Sequence, residues 1–167
     1  MAASTTKKAV VRRFDREALQ GYIHPVSFLQ PDGVELLSAE GNVSRIAYSE
    51  IKTIAFVREF DAGAEPERRA FQTRPKMAGL WVSLRFRDGE TLEGIIPNNL
   101  LQLEHYGFTV IPPDPYGNQQ RIFAPRAALA GVEVLGVIGS PLHRRKAKPA
   151  AKEQIGLFDE GLAGGNS

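Results

Sequence analysis

Leu80-Trp81-Val82-Ser83-Leu84-Arg85-Phe86, then Arg87-Asp88-Gly89-Glu90, then Thr91-Leu92-Glu93-Gly94-Ile95-Ile96 read together as one β-hairpin. In the first run apolar and less apolar residues alternate with period two, the pattern of a strand buried on one face. Asp88-Gly89 interrupts it with a residue pair that supplies the positive φ a tight turn demands. Downstream, Gly107 to Ile111 and Gly117 to Ile122 supply two more short strands. Pro125 stands where a first helical turn tolerates it and Gly131 where such a turn stops, which predicts a single helical turn and then a last strand, Val132 to Val137. Five short strands with one helical turn before the last are the order of an SH3-like or Sm-like barrel, in which closure protects the strand edges.

The same order recurs upstream. Phe14 aligns with Phe86, Leu19 with Leu92 and Gly21 with Gly94, given one residue fewer in the turn. Gly33-Val34-Glu35-Leu36-Leu37 aligns with Gly107 to Ile111, and Gly41-Asn42-Val43-Ser44-Arg45-Ile46 with Gly117 to Ile122. Three matched blocks in one order predict an internal duplication. Tyr48 to Val57 closes the first copy as a short helical turn running into a strand. This alignment sets Arg12 at the inward place that Leu84 holds, and a buried arginine without a partner is costly. Either a bulge re-aims Arg12, or the first strand sits in another register.

The expected architecture is therefore all-β: two tandem five-stranded Sm/SH3-like small barrels with a disordered C-terminal tail. The first barrel covers residues 7–60 and the second 79–139. Residues 61–78 form a linker rich in charge, with Phe71 and Met77 as anchors onto a barrel surface. Residues 140–167 form a basic tail that carries a docking peptide.

Composition bounds the function. The 167 residues hold one ordinary domain or two very small ones, and two barrels of this size gain by packing together. The absence of cysteine excludes disulfides and thiolate metal sites. No apolar signal core opens the chain and no window approaches the ~18 apolar residues of a membrane span, so a cytoplasmic protein without a membrane partner is expected. Of the 21 basic and 19 acidic residues, five bases lie within 143–152 and three acids beyond it, which leaves sixteen of each in residues 1–142. The body is neutral and the basic character sits in the tail.

His24, His105 and His143 are isolated from one another and from any carboxylate pair at catalytic or metal-binding spacing. No nucleophile elbow, phosphate-binding glycine loop or dinucleotide fingerprint occurs. A non-enzymatic protein without cofactor or metal is the expectation.

The run Val82 to Ile96, with its apolar strand, Asp-Gly turn and Leu92-Glu93-Gly94, resembles the first motif of Sm-like proteins, including the bacterial Sm-like RNA chaperone. Arg45-Ile46-Ala47-Tyr48 through Ile54 is similar to the closing Sm motif, and the whole chain resembles a bacterial family of duplicated barrels of this sort. The resemblance implies binding of RNA, single-stranded DNA, peptides or other barrels. Sm-like RNA sites place basic and aromatic residues before the last strand, where this chain has Ser49-Glu50 and Arg126-Ala127-Ala128. Tyr22, Trp81, Tyr106 and Tyr116 remain as stacking candidates for a nucleic-acid base.

Gln154-Ile155-Gly156-Leu157-Phe158 resembles the peptide by which bacterial replication and repair proteins dock on the DNA polymerase sliding clamp. In that mode Leu157 and Phe158 fill an apolar pocket, Ile155 lies on its wall, and the Gln154 amide fixes register with both a donor and an acceptor. Arg144, Arg145, Lys146, Lys148 and Lys152 stand just before it, placed to contact DNA phosphates. A second reading has Ile155, Leu157 and Phe158 fold back over an apolar patch or barrel edge. The expected function is an adaptor that docks on the clamp through its tail and uses its barrels as a platform; the alternative is RNA or single-stranded DNA binding by the barrels.

Overall fold

The computed structural model describes residues 5–62 and 67–139. In chain order the strands are β1 (Lys7–Arg13), β2 (Leu19–Ile23), β3 (Leu29–Gln30), β4 (Gly33–Leu37), β5 (Val43–Ile46) and β6 (Ile51–Val57), then β7 (Gly79–Phe86), β8 (Thr91–Ile96), β9 (Gly107–Val110), β10 (Gln119–Pro125) and β11 (Leu129–Ile138). Single 3-10 turns occupy Tyr48–Glu50, Leu100–Gln102 and Arg126–Ala128, and no α-helix occurs among the described residues. The protein is all-β, as the alternation predicts. The segment 140–167 lies outside the described residues.

The hairpin of β7 and β8 forms where expected, with Arg85 opposite Thr91 and Leu80 opposite Ile96. Gly89 takes φ +90°, and no residue other than glycine has positive φ among the described residues. Its amide donates to the Phe86 carbonyl at 3.0 Å, while the Phe86 amide donates to Glu90 O at 2.8 Å. The Asp88 carboxylate accepts from the Glu90 amide at 3.0 Å and holds the turn. A three-residue turn ending in a left-handed glycine matches the twist of the strands it joins. Val82, Leu84 and Phe86 all point inward and are buried.

The two halves share a strand-pairing pattern, which corrects their alignment. Val11 faces Leu19 and Ala9 faces Gly21 in the first unit, as Leu84 faces Leu92 and Val82 faces Gly94 in the second. Val11, not Arg12, therefore holds the place of Leu84. Arg12 corresponds to Arg85, the two turns are equal in length, and the match of Phe14 with Phe86 is out by one. Both closing strands also carry a bulge at the same step: Lys52 is skipped between Arg12 and Arg13, as Ala130 is between Arg85 and Phe86. The third block shifts as well. Val34 faces Ile46 where Phe108 faces Ala124, so Ile46 corresponds to Ala124 and not to Ile122. A slip of two keeps every side chain on its face, which is why hydrophobic pattern alone did not expose it.

Gly94 and its counterpart Gly21 are required by close approach. A Cβ on Gly94 would lie 2.6 Å from the Val110 Cβ, and one on Gly21 would lie 2.7 Å from the Leu37 carbonyl oxygen. The second strand of each unit can curl over its neighbour because these positions carry no side chain. Gly94→Ala is expected to cost about 1–3 kcal/mol through overpacking, read as a lower midpoint in urea unfolding.

The expected stop at Gly131 does not occur. The 3-10 turn ends at Ala128, and β11 runs from Leu129 with Gly131 inside it, opposite Arg85 beside the bulge. The turn is only three residues long and needs no glycine to end it.

The two units share one sheet. β6 pairs with β1 on one edge and with β10 on the other, giving an eight-stranded order β3-β4-β2-β1-β6-β10-β9 with β5 on β4. β11, β7 and β8 form a second sheet, which meets the first through the Ile95–Ile111 bridge. Neighbouring residues of β6 face opposite ways. Ile54 accordingly lies in the first unit's core, while Ala55 and Val57 lie in the second unit's. Phe123, from β10 of the second unit, is fully buried in the core of the first, 5.7 Å edge-to-face from Phe28.

The connecting segment is docked along its described part. The Glu93 amide donates to Arg69 O at 2.7 Å, and the Glu93 carboxylate accepts from the Phe71 amide and from the Trp81 indole at 3.0 and 3.1 Å. Phe71 packs edge-on against Trp81 as the expected anchor. Met77 does not anchor and is exposed.

Candidate binding groove at the seam

The β6–β10 seam has two faces with different chemistry. On one face lie two adjoining cavities of about 400 and 360 Å³ that share Glu104, Thr109 and Arg121. The larger is walled by Ile95, Ile96, Leu103 and Phe108 of the second unit. The smaller reaches Phe28, Phe56 and Lys7 of the first. Sequence distance hides this groove: its walls come from β1, β6, β8, β9, β10 and the loops before β3 and β9, and pairing of β6 with β10 brings the two units' walls together.

Glu104 sits at the waist. Its carboxylate accepts from the Thr109 hydroxyl at 2.8 Å. Burial pushes its carboxyl above the usual range, against the smaller downward pulls of that hydrogen bond and of Arg121. The groove thus offers apolar walls with an acid and a base where the two cavities adjoin, a lining suited to an extended segment with apolar side chains and a polar backbone.

The opposite face is a clasp. Lys52, presented by the β6 bulge, pairs with Asp88 and Glu90 of the β7–β8 turn, and Arg69 joins Glu90 at 2.6 Å. Lys52 is the first cause holding both carboxyls below their usual range, with Arg69 adding to the effect at Glu90. Arg12 bonds to Glu67, which also takes a hydrogen bond from Gln119. The register answers the difficulty posed by Arg12: Val11 takes the inward place, and the Arg12 side chain is half-exposed and paired.

Asn118, just before β10, latches the end of the seam. Its side-chain oxygen accepts from the Glu59 amide and its nitrogen donates to the Glu59 carbonyl, both at 2.9 Å. A side-chain amide that satisfies both groups of one residue acts as an extra rung of the ladder.

Three of the four stacking candidates are engaged within the protein. Tyr22 packs edge-on against Phe60, Trp81 against Phe71, and Tyr106 stacks on Tyr48 at 5.0 Å. Burial, as the first cause, pushes the Tyr48 phenol up to about 12, and its hydroxyl donates to Gln30 O at 2.6 Å. Tyr116 is exposed. His105 packs edge-on against Tyr106, and no cluster of three or more metal-ligating side chains occurs among the described residues. Gln154, Ile155, Leu157 and Phe158, with Arg144, Arg145, Lys146, Lys148 and Lys152, all lie outside the described residues. No helix among the described residues is long and apolar enough to cross a membrane.

Comparison with known proteins places the chain by family alone. No curated protein matches it, and no solved structure does. One family model spans both units together, matching residues 5–136, from just before β1 to Gly136 near the end of β11. By that match the chain belongs to a family of unknown function, DUF6982.

Proposed function

We propose that this chain is a non-enzymatic cytoplasmic adaptor, whose two-unit body is a binding platform and whose tail peptide docks on the DNA polymerase sliding clamp. The observation that carries the reading is the peptide itself, Gln154-Ile155-Gly156-Leu157-Phe158, with its adjacent Leu-Phe anchors and register-setting glutamine. β11 ends at Ile138, and fifteen residues separate it from Gln154. A connector of that length can span up to roughly 50 Å, enough to let the peptide reach a partner while the body holds another. The basic residues Arg144 to Lys152 add a salt-dependent attraction to the DNA that a clamp encircles. The seam groove is the body's cargo site in this reading, since its apolar walls suit an extended peptide.

Nucleic-acid binding by the body draws less support. Lys8, Arg12, Arg16, Arg45, Lys52 and Arg69 each pair with a carboxylate of the body. Phosphates would have to displace those partners, which removes these six bases from the counterion release that drives binding.

The test is fluorescence polarisation of a labelled 150–163 peptide against a purified bacterial sliding clamp. Micromolar binding is expected, weakened about thirty-fold or more by the Leu157→Ala, Phe158→Ala pair. The same pair in the full chain should leave thermal stability unchanged. Absence of binding, or a large stability loss in the double variant, refutes clamp docking and favours fold-back of the peptide onto the body.

A further inference from the structure

The seam inside the chain is a junction between unlike edges, and both edges occur a second time unused. β6, the closing strand of the first unit, has β1 on one side and β10 on the other. β11 is its counterpart: Val132 faces Leu84 as Ile54 faces Val11, and Val134 faces Val82 as Phe56 faces Ala9. Among the described residues β11 pairs with β7 alone. β5 is the counterpart of β10, each the partner of the preceding strand and each leading into a 3-10 turn, and among the described residues β5 pairs with β4 alone. The first unit thus carries a free copy of the β10-type edge, and the second unit a free copy of the β6-type edge.

Exposure follows the pairing. In β6, Ile54 and Val57 are 0% and 8% exposed. At the matching positions of β11, Val132 and Leu135 are 40% and 38% exposed, and Val134 and Val137 reach 56% and 55%. β5 presents Val43 at 66%. Apart from the Val137 carbonyl, which accepts from Arg74 Nη2 at 3.3 Å, no backbone hydrogen bond outside the β7 pairing is seen along β11 among the described residues, and such an apolar edge is a template for another strand.

We propose that this chain assembles head to tail with further copies of itself, β11 of one copy pairing antiparallel with β5 of the next. The register comes from the internal seam, where Phe56 faces Arg121, Ala55 faces Ile122 and Ile54 faces Phe123. Carried to the free edges, it sets Val134 opposite Val43, Glu133 opposite Ser44 and Val132 opposite Arg45. The two most exposed valines meet, and the Ser44 hydroxyl can donate to the Glu133 carboxylate. Arg45 brings its own counter-charges, Asp32 and Glu35, at 3.0 and 2.7 Å, so its approach to Val132 buries no unpaired cation. Three of the four residue pairs of the internal seam carry over to β5; the fourth, Gln119 with Val57, maps to Gly41, just before β5. Because the joined edges differ, the assembly closes as a ring or extends as an open chain, unlike a two-fold dimer.

Sedimentation velocity with light scattering on the full chain, over a hundredfold range of concentration, tests this. Wild type is expected at a multiple of the 18.3 kDa chain mass. Val134→Lys and Val43→Lys each alter an exposed side chain, so each should keep the wild-type melting curve and sediment as a single chain. Mixed together they should form a dimer and nothing larger, because one retains β5 and the other retains β11. A monomeric wild type overturns the proposal, and so does a Val134→Lys variant that still assembles. Persistence of a dimer in Val43→Lys alone would mean β11 pairs with β11, which also overturns it. So would appearance of oligomers only after deletion of residues 140–167, since the edge would then belong to the chain's own tail.

Discussion

Phe123→Ala is expected to lower the stability of the whole protein by about 3–5 kcal/mol, the cost of emptying a fully buried aromatic site. At this size that shifts the melting temperature down by roughly 10–20 °C. The effect is large because of where the ring lies. Phe123 comes from β10, in the second half of the chain, and fills the first half's core beside Ile23, Phe28, Val34 and Ile54. Its loss removes one of the two edge-to-face partners of Phe28, leaving Phe56, and takes packing from the strand that β6 needs at its open side. Both halves should therefore melt together in the variant, at one lower temperature by every probe. Tyr116→Ala, at an exposed aromatic, is the control and should move stability by less than about 0.5 kcal/mol. A wild-type melting curve for Phe123→Ala would mean that the first half does not depend on the second for its core.

Cutting the chain in the connecting segment should have an all-or-none effect. Residues 1–62 alone lose β10 and Phe123, which exposes the β6 edge along Ile54 to Val57. Residues 63–139 alone lose Ala55 and Val57 from their core, and β10 keeps β9 but loses β6. Fragments of 62 and 77 residues are already near the lower limit at which burial outweighs chain entropy. Each is expected to give the amide spectrum of an unfolded chain, and the equimolar mixture to recover the dispersed spectrum of the intact protein. A folded 1–62 fragment would show instead that the seam joins two self-sufficient domains.

The parts of the site that the sequence made visible are those whose partners lie close along the chain. Asp88-Gly89 announced its turn because a left-handed φ at one position is a local demand that glycine meets. Gly21 and Gly94 could be matched across the duplication, and each does sit under the next strand. Lys52, Glu104, Asn118 and Phe123 carried no local signal. Lys52 reads as one more surface lysine until the bulge turns it toward Asp88 and Glu90, thirty-six and thirty-eight residues away. Phe123 reads as the next apolar residue of a strand, and only the seam decides whose core it enters.

By itself the sequence determined the all-β class, the hairpin and its turn, the doubling of one strand order and the separation of a neutral body from a basic tail. Each of these rests on period, turn chemistry or charge, which act over a few residues and survive without a partner. Tertiary structure alone decided the register of the repeat, since a slip of two residues leaves every apolar side chain on its own face. It alone decided that β6 is a shared strand rather than the end of a separate unit, because a strand's second edge says nothing in sequence about what will pair with it. From that one pairing follow the interlocked cores, the groove over the seam with Glu104 at its waist, and the two free edges that repeat it.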